Sequence, residues 1–238
     1  MASFITILIS IVVAAIAIVG MVMFVMRPRR FYFVRHSETI LNSQHIRQGA
    51  AGGLSEKGRK QAENVGKDLA RLSIKRIISS TYERARETTS IINTHLKVKV
   101  IYSNLLTERR NPTEVIGKST DDPEVARIID QIDLAYHDDD YRFSDEENFV
   151  DFKNRAKKCL TFLSNQPGGE TCVVTHHKFL KMLLSYMLYR EKFHAADFAK
   201  ISFFNPADNA GITVCEYHPW LALSKTRGWE VVTYNEKP

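Results

Sequence analysis

FYFVRHSETILN, residues 31–42, is the stretch whose reading decides the fold of this 238-residue chain. Phe31 to Val34 form a short continuous run suited to a strand buried on both faces. The run meets Arg35 and His36 without a spacer. A permanent cation and an imidazole at the end of a core strand are costly to desolvate unless they hold something of opposite charge.

Outward from this strand the chain alternates. Ser55 is a good N-cap, and Ala62, Val65, Leu69 and Leu72 follow it at helical spacing. KRIISS, residues 75–80, reads as a buried strand, and a helix is expected over 82–95. KVKVIYS, residues 97–103, alternates like a half-solvated strand. Asp122 before Pro123 marks a helix over 123–135. Ser144-x-x-Glu147 reads as a capping box, opening a helix with Phe149, Phe152, Ala156, Cys159, Leu160 and Leu163 on one face. After the break at Pro167-Gly168-Gly169 come a strand (ETCVVTH), a helix (HKFLKMLLSYML) and two further strands (GITVCEYH and WEVVTYNE). The expected fold is α/β: a three-layer α/β/α domain with a mostly parallel central sheet.

In such sheets ligands bind beyond the carboxyl ends of the strands. Three of those ends carry cations or imidazoles: Arg35-His36, Arg84 after IISS, and His176-His177 after CVVT. Arginine's planar fork matches phosphate oxygens, so the expected ligand is a phosphoryl group. The pair His176-His177 is not read as a metal site, because neighbouring residues diverge and no carboxylate or cysteine stands at ligand spacing.

VRHSET resembles the Arg-His-Gly-Glu-Thr signature of the histidine phosphatase superfamily, in the branch of the cofactor-dependent phosphoglycerate mutases. LSEKGRKQA, SSTYERARETT, LTERR and VVTHH resemble its later motifs in the same order, so that the likeness spans about 31–218. The resemblance implies that His36 is the nucleophile. It implies that Arg35, Arg84 and His176 hold the phosphoryl oxygens, that Asn42 is a secondary hydrogen-bond partner and that Glu108 is the proton donor and acceptor. No metal or cofactor is implied. Ser37 and His177 stand where the family usually has glycine; both are placed beside the substrate, Ser37 as a donor to a phosphate oxygen and His177 either pointing away along the helix, narrowing the pocket or adding a third imidazole.

Within the family a phosphatase acting through phosphohistidine is favoured over a mutase, because LTERRNPTEVIGKS lacks the mutase continuation after Leu-x-Glu. The acid phosphatase and phytase branch fits less well, since it has Arg-Pro after its first motif and His-Asp in its second. The remaining alternative is a module that binds phosphate without turnover, supported by the two lost glycines. The partner is a phosphorylated small molecule or a phosphoprotein, with substrate and oligomeric state left open.

The net charge of +6 includes Arg27, Arg29 and Arg30. The rest is mildly basic with no lysine-arginine runs, so nucleic acid is not an expected partner. Cys159, Cys172 and Cys215 are too far apart for a metal knuckle or disulfide framework and read as core residues. Phe4 to Met26 is uncharged, about 34 Å long as a helix, and followed rather than preceded by cations. It reads as a single-pass membrane anchor with the catalytic domain on the cytoplasmic side, rather than a signal peptide or a core helix. Residues 1–28 are thus expected to be the anchor with its basic flank, with Arg27–Arg30 as linker, and 29–238 the catalytic domain.

Overall fold

The computed structural model describes the backbone of residues 2–135, 137–204, 207–221 and 228–237; the side chains of 2–8, 22–25 and 202–204 are outside the description. In chain order the elements are α1 (Ala2–Val25), β1 (Arg29–Arg35), α2 (Ile40–Ser43), α3 (Glu56–Leu69), β2 (Ile74–Ser80), α4 (Glu83–Leu96) and β3 (Lys99–Ser103). They continue with α5 (Pro123–Leu134), α6 (Phe149–Ser164), β4 (Glu170–Thr175), α7 (His177–Tyr189), α8 (Ala195–Phe204), β5 (Ile212–Tyr217) and β6 (Trp229–Glu236). One six-stranded sheet runs in the order β3-β2-β4-β1-β5-β6. β1 to β4 are mutually parallel where they pair, and β5 and β6 are antiparallel additions on the β1 side.

The reason FYFV has no polar face is now visible. Phe31 and Phe33 pack on one side of the sheet with Val173 and the apolar faces of α6 and α7. Tyr32 and Val34 pack on the other side with Val65 and Leu69 of α3 and Ile92 of α4. Pleating sends alternate side chains to opposite faces, and both faces are covered. All three cysteines are buried and reduced; burial pushes the Cys159 and Cys172 thiols up to about 12.

Four local expectations are corrected. β1 begins at Arg29, so Arg29 and Arg30 belong to the sheet and not to a linker: Arg29 Nη1 donates to the Ser164 carbonyl at 2.7 Å, and Arg30 pairs with Glu216. The strand expected from 97 begins at Lys99, because Lys97 caps α4 in the left-handed region, at φ 52°. Ser144-x-x-Glu147 is not a capping box. Asn148 caps α6 by accepting from Asp151 N, while Ser144 donates to Glu114 and Glu147 pairs with Arg155. Helix α8 had no counterpart in the sequence reading. Its first turn is held by Asp139, which accepts from Ala195 N at 2.8 Å.

In α1, Ile9 to Met21 present exposed apolar side chains, Ile16 by 67%. Among the described residues no helix is long and apolar enough to cross a membrane. The two ends of the expected Phe4–Met26 span, 4–8 and 22–25, lie outside the residues whose side chains are described.

The LSEKGRKQA segment turns out to be the clamp on the loop after His36. Ser55 N and Gln61 Oε1 bond the backbone of Glu38, and Ser55 Oγ and Lys57 hold its carboxylate. Gly58 lies so close beneath this loop that a Cβ there would sit 1.9 Å from the Glu38 carbonyl oxygen. That neighbour is backbone and cannot rotate away. Gly58→Ala is therefore expected to destabilise the domain by about 1–3 kcal/mol, with a lower thermal midpoint and a displaced His36 loop as the readouts.

Candidate active site

Strand order puts the chemistry together. β4 lies between β1 and β2, and Arg35 and Thr175 are paired at the ends of β1 and β4. The next residues, His36 and His176, leave the sheet side by side, with His36 N donating to the Thr175 carbonyl at 2.8 Å. Their ring centroids are 5.1 Å apart. Arg84, in the first turn of α4, reaches the same point from the end of β2.

His36 is buried, and its Nδ1 lies 2.8 Å from the Ser37 carbonyl oxygen. A carbonyl can only accept, so Nδ1 carries the proton and Nε2 keeps its lone pair. Burial, then the charges of Arg84 and Arg35, hold this imidazole well below its ordinary value. It stays neutral, which a nucleophile requires. Asn209, which the sequence reading missed, donates its side-chain amide to the His36 carbonyl at 2.9 Å.

His176 has the opposite tautomer. Arg84 Nε, a donor only, points at its Nδ1 at 3.2 Å, so the ring proton is on Nε2 and is donated to Ser80 Oγ at 2.7 Å. Burial and the Arg84 charge keep this ring well below its usual value as well. Arg84 is further fixed by the Gly49 carbonyl at 2.8 Å and by the face of Tyr82. Arg35 donates Nη1 to the Ala207 carbonyl, and its Nε is buried without a partner. Burial lowers both guanidinium groups from their usual value, and Glu108 is the largest charge opposing that.

Glu108 stands at the same end of the sheet, where Thr175 Oγ1 bonds the Leu106 carbonyl and ties its loop to β4. Arg155 of α6 donates to the carbonyls of Leu105, Thr107 and Glu108. The carboxylate faces the start of α7: Oε1 accepts from Phe179 N and Arg109 N, and Oε2 from Lys178 N, at 2.9–3.0 Å. It therefore caps α7 across 70 residues of chain. That contact, the Arg155 anchor, Ser80 and Asn209 have no local sequence signal, because each joins separate elements.

The two positions with lost glycines are accommodated differently. Neither Ser37 nor His177 has a positive φ, so neither backbone requires glycine. Ser37 N donates to Thr88 Oγ1, and the Ser37 hydroxyl is buried with no partner. His177 Nδ1 donates to the Ala207 carbonyl at 3.0 Å, the same oxygen that Arg35 uses. Burial, then Arg35 and Lys181, bring His177 down to about 4. Asn42 is held in the Thr39 capping box of α2, its side-chain oxygen accepting from Thr39 N.

Residues 31–236 match the histidine phosphatase superfamily (branch 1). The chain belongs to this superfamily. Among its relatives, a probable phosphoglycerate mutase GpmB of Erwinia tasmaniensis is 28% identical over 159 residues, which is 66% of this chain and 74% of that protein. The fructose-2,6-bisphosphatase TIGAR of Xenopus tropicalis is 37% identical over 83 residues, 32% of this chain and 30% of that protein. Two solved structures share the fold. A putative alpha-ribazole-5'-P phosphatase from Escherichia coli superposes with a TM-score of 0.71 at 19% identity, over 87% of this chain and 96% of that one. A mycobacterial glucosyl-3-phosphoglycerate phosphatase does so with a TM-score of 0.68 at 23% identity, over 89% of this chain and 100% of that one. In this superfamily member, Arg35, His36, Ser37, Arg84, Glu108, His176 and His177 all lie at one end of the sheet.

Proposed function

We propose that this superfamily member is a phosphatase that hydrolyses a phosphomonoester through a phosphohistidine on His36. The observation that carries the reading is the His36 ring: neutral, proton fixed on Nδ1, and within the field of the Arg84 and Arg35 guanidinium groups. In the first step the Nε2 lone pair forms the N–P bond, the ester P–O bond breaks, and Glu108, protonated on substrate binding, gives that proton to the leaving oxygen and becomes a carboxylate. In the second, Glu108 takes a proton from water as the water oxygen displaces His36 from phosphorus. Arg35 and Arg84 hold the charged oxygens through both steps. On binding, the His176 Nε2–H switches its hydrogen bond from Ser80 Oγ to a phosphoryl oxygen. The Ser37 hydroxyl and the Asn42 amide are further donors, and His177 closes one side.

Glu108→Gln separates these steps. With p-nitrophenyl phosphate, whose leaving group needs no proton, the burst of nitrophenolate should survive. The steady state should fall by about 10²–10⁴ because water has lost its base. Loss of the burst as well would reduce Glu108 to its contact with α7.

The reading favours water over a second alcohol as acceptor, since the segment after Glu108 lacks the mutase continuation. Release of phosphate without phosphoryl exchange between phosphoglycerates would test this. The proposal extends to residues 1–28 as a single-pass anchor placing the domain in the cytoplasm, supported by the exposed apolar surface of α1 and the arginines that follow it. Removing residues 1–28 should move the protein from the membrane pellet to the soluble fraction with kcat unchanged. Retention in the pellet, or loss of activity, would overturn the anchor assignment.

A further inference from the structure

A cavity of about 900 Å³ is lined largely by residues of α5, α6 and α8. Arg109 and Lys178, whose backbone N–H groups bond the Glu108 carboxylate, both line it. Its wall includes Phe149, Phe152, Phe198 and Leu134, and Leu134 is 63% exposed. The volume is that of a small-molecule site. Three alanines of α8, Ala195, Ala196 and Ala199, keep that side open. The charged side chains in the lining cancel: Arg109, Lys178 and Lys200 against Asp130, Asp133 and Asp138, with Asp133 3.7 Å from Arg109 and 3.4 Å from Lys178. Basic groups already paired with carboxylates do not call for a second anion on the ligand.

We propose that this cavity receives the leaving-group side of the substrate, and that the substrate is a phosphomonoester whose alcohol carries an uncharged apolar arm. This rests on the phosphatase reading only for the position of the phosphoryl group. An arm attached to the leaving oxygen, which Glu108 must face, passes between Arg109 and Lys178 into the aromatic end of the cavity. Burial of apolar surface then discriminates among esters by arm length, at roughly three- to fourfold per methylene.

The test uses the full chain and two phosphonates that cannot be turned over, ethylphosphonate and hexylphosphonate, titrated calorimetrically. Hexylphosphonate should bind on the order of a hundredfold more tightly, with a more negative heat-capacity change. Ala199→Phe and, separately, Ala196→Leu should each reduce that ratio at least tenfold by filling the cavity. Equal affinities for the two phosphonates, no measurable binding of hexylphosphonate, or a ratio untouched in both folded variants would overturn the proposal. Turnover of p-nitrophenyl phosphate is measured in parallel. Its absence would remove the phosphatase reading while the binding ratio still decides the cavity.

Discussion

Replacing His36 by alanine should abolish phosphomonoester hydrolysis, with a loss on the order of 10⁴–10⁶ in kcat, the scale seen when other enzymes lose a nucleophile. Everything else that meets the phosphoryl group in the proposed mechanism remains in the variant: both guanidinium groups, the His176 ring and the Glu108 carboxylate. Inorganic phosphate should therefore still bind, and the fold should be kept, since the change removes a neutral ring whose one resolved side-chain bond is to its own neighbour's carbonyl. Rapid acid-free quenching with ³²P-labelled substrate should trap a phosphorylated wild type and an unlabelled variant. A variant with wild-type rates would mean that no phosphohistidine forms at this position, and a non-catalytic phosphate-binding reading would replace the enzyme.

The second large effect is on stability in mild acid. His36, His176 and His177 are all held below the ordinary histidine value by burial, His177 at about 4 and the other two well below 6.5. Unfolded, each takes up a proton near pH 6.5; folded, none does so until the pH is much lower. Between these limits the unfolded chain binds more protons. Stability is therefore complete above about pH 6.5 and is lost as the pH falls towards 4. Each ring that stays neutral in the folded chain lowers stability by at most about 1.4 kcal/mol for each pH unit below 6.5, so stability falls as the pH drops. Urea midpoints at pH 7, 6 and 5 should fall steeply, and less steeply in His176→Gln. A midpoint constant over this range would show that the rings take up protons in the folded state as readily as in the unfolded chain, and would overturn this account.

The two effects come from one cause. A nucleophilic imidazole has to be neutral, and here neutrality is maintained by dry surroundings and neighbouring cations. The same surroundings make the folded site intolerant of the proton that any exposed histidine would accept. Phosphate should relieve part of this, because an anion beside Arg35 and Arg84 offsets their charge.

What was legible in the sequence was whatever neighbouring residues dictate. The FYFV run has no polar face and must be covered on both sides. Ser55 and Asp122 cap their helices within two or three residues, as the structure confirms. The strand ends carry Arg35-His36 and His176 in positions that any parallel sheet brings to one rim, and the motif order was enough to assign the superfamily. One local signal misled: Ser144-x-x-Glu147 has the form of a capping box, but Asn148, immediately before Phe149, is the residue that caps α6.

Tertiary structure alone decided the rest. That Glu108 caps α7, that Asp139 starts α8, that Arg155 ties down the Glu108 loop, and which nitrogen of each histidine holds its proton are facts about groups far apart in the chain. A sequence names donors and acceptors but not their distances. A tautomer or a desolvation penalty depends on which carbonyl lies within 3 Å and how much water is excluded, and these quantities exist only once the strands have paired.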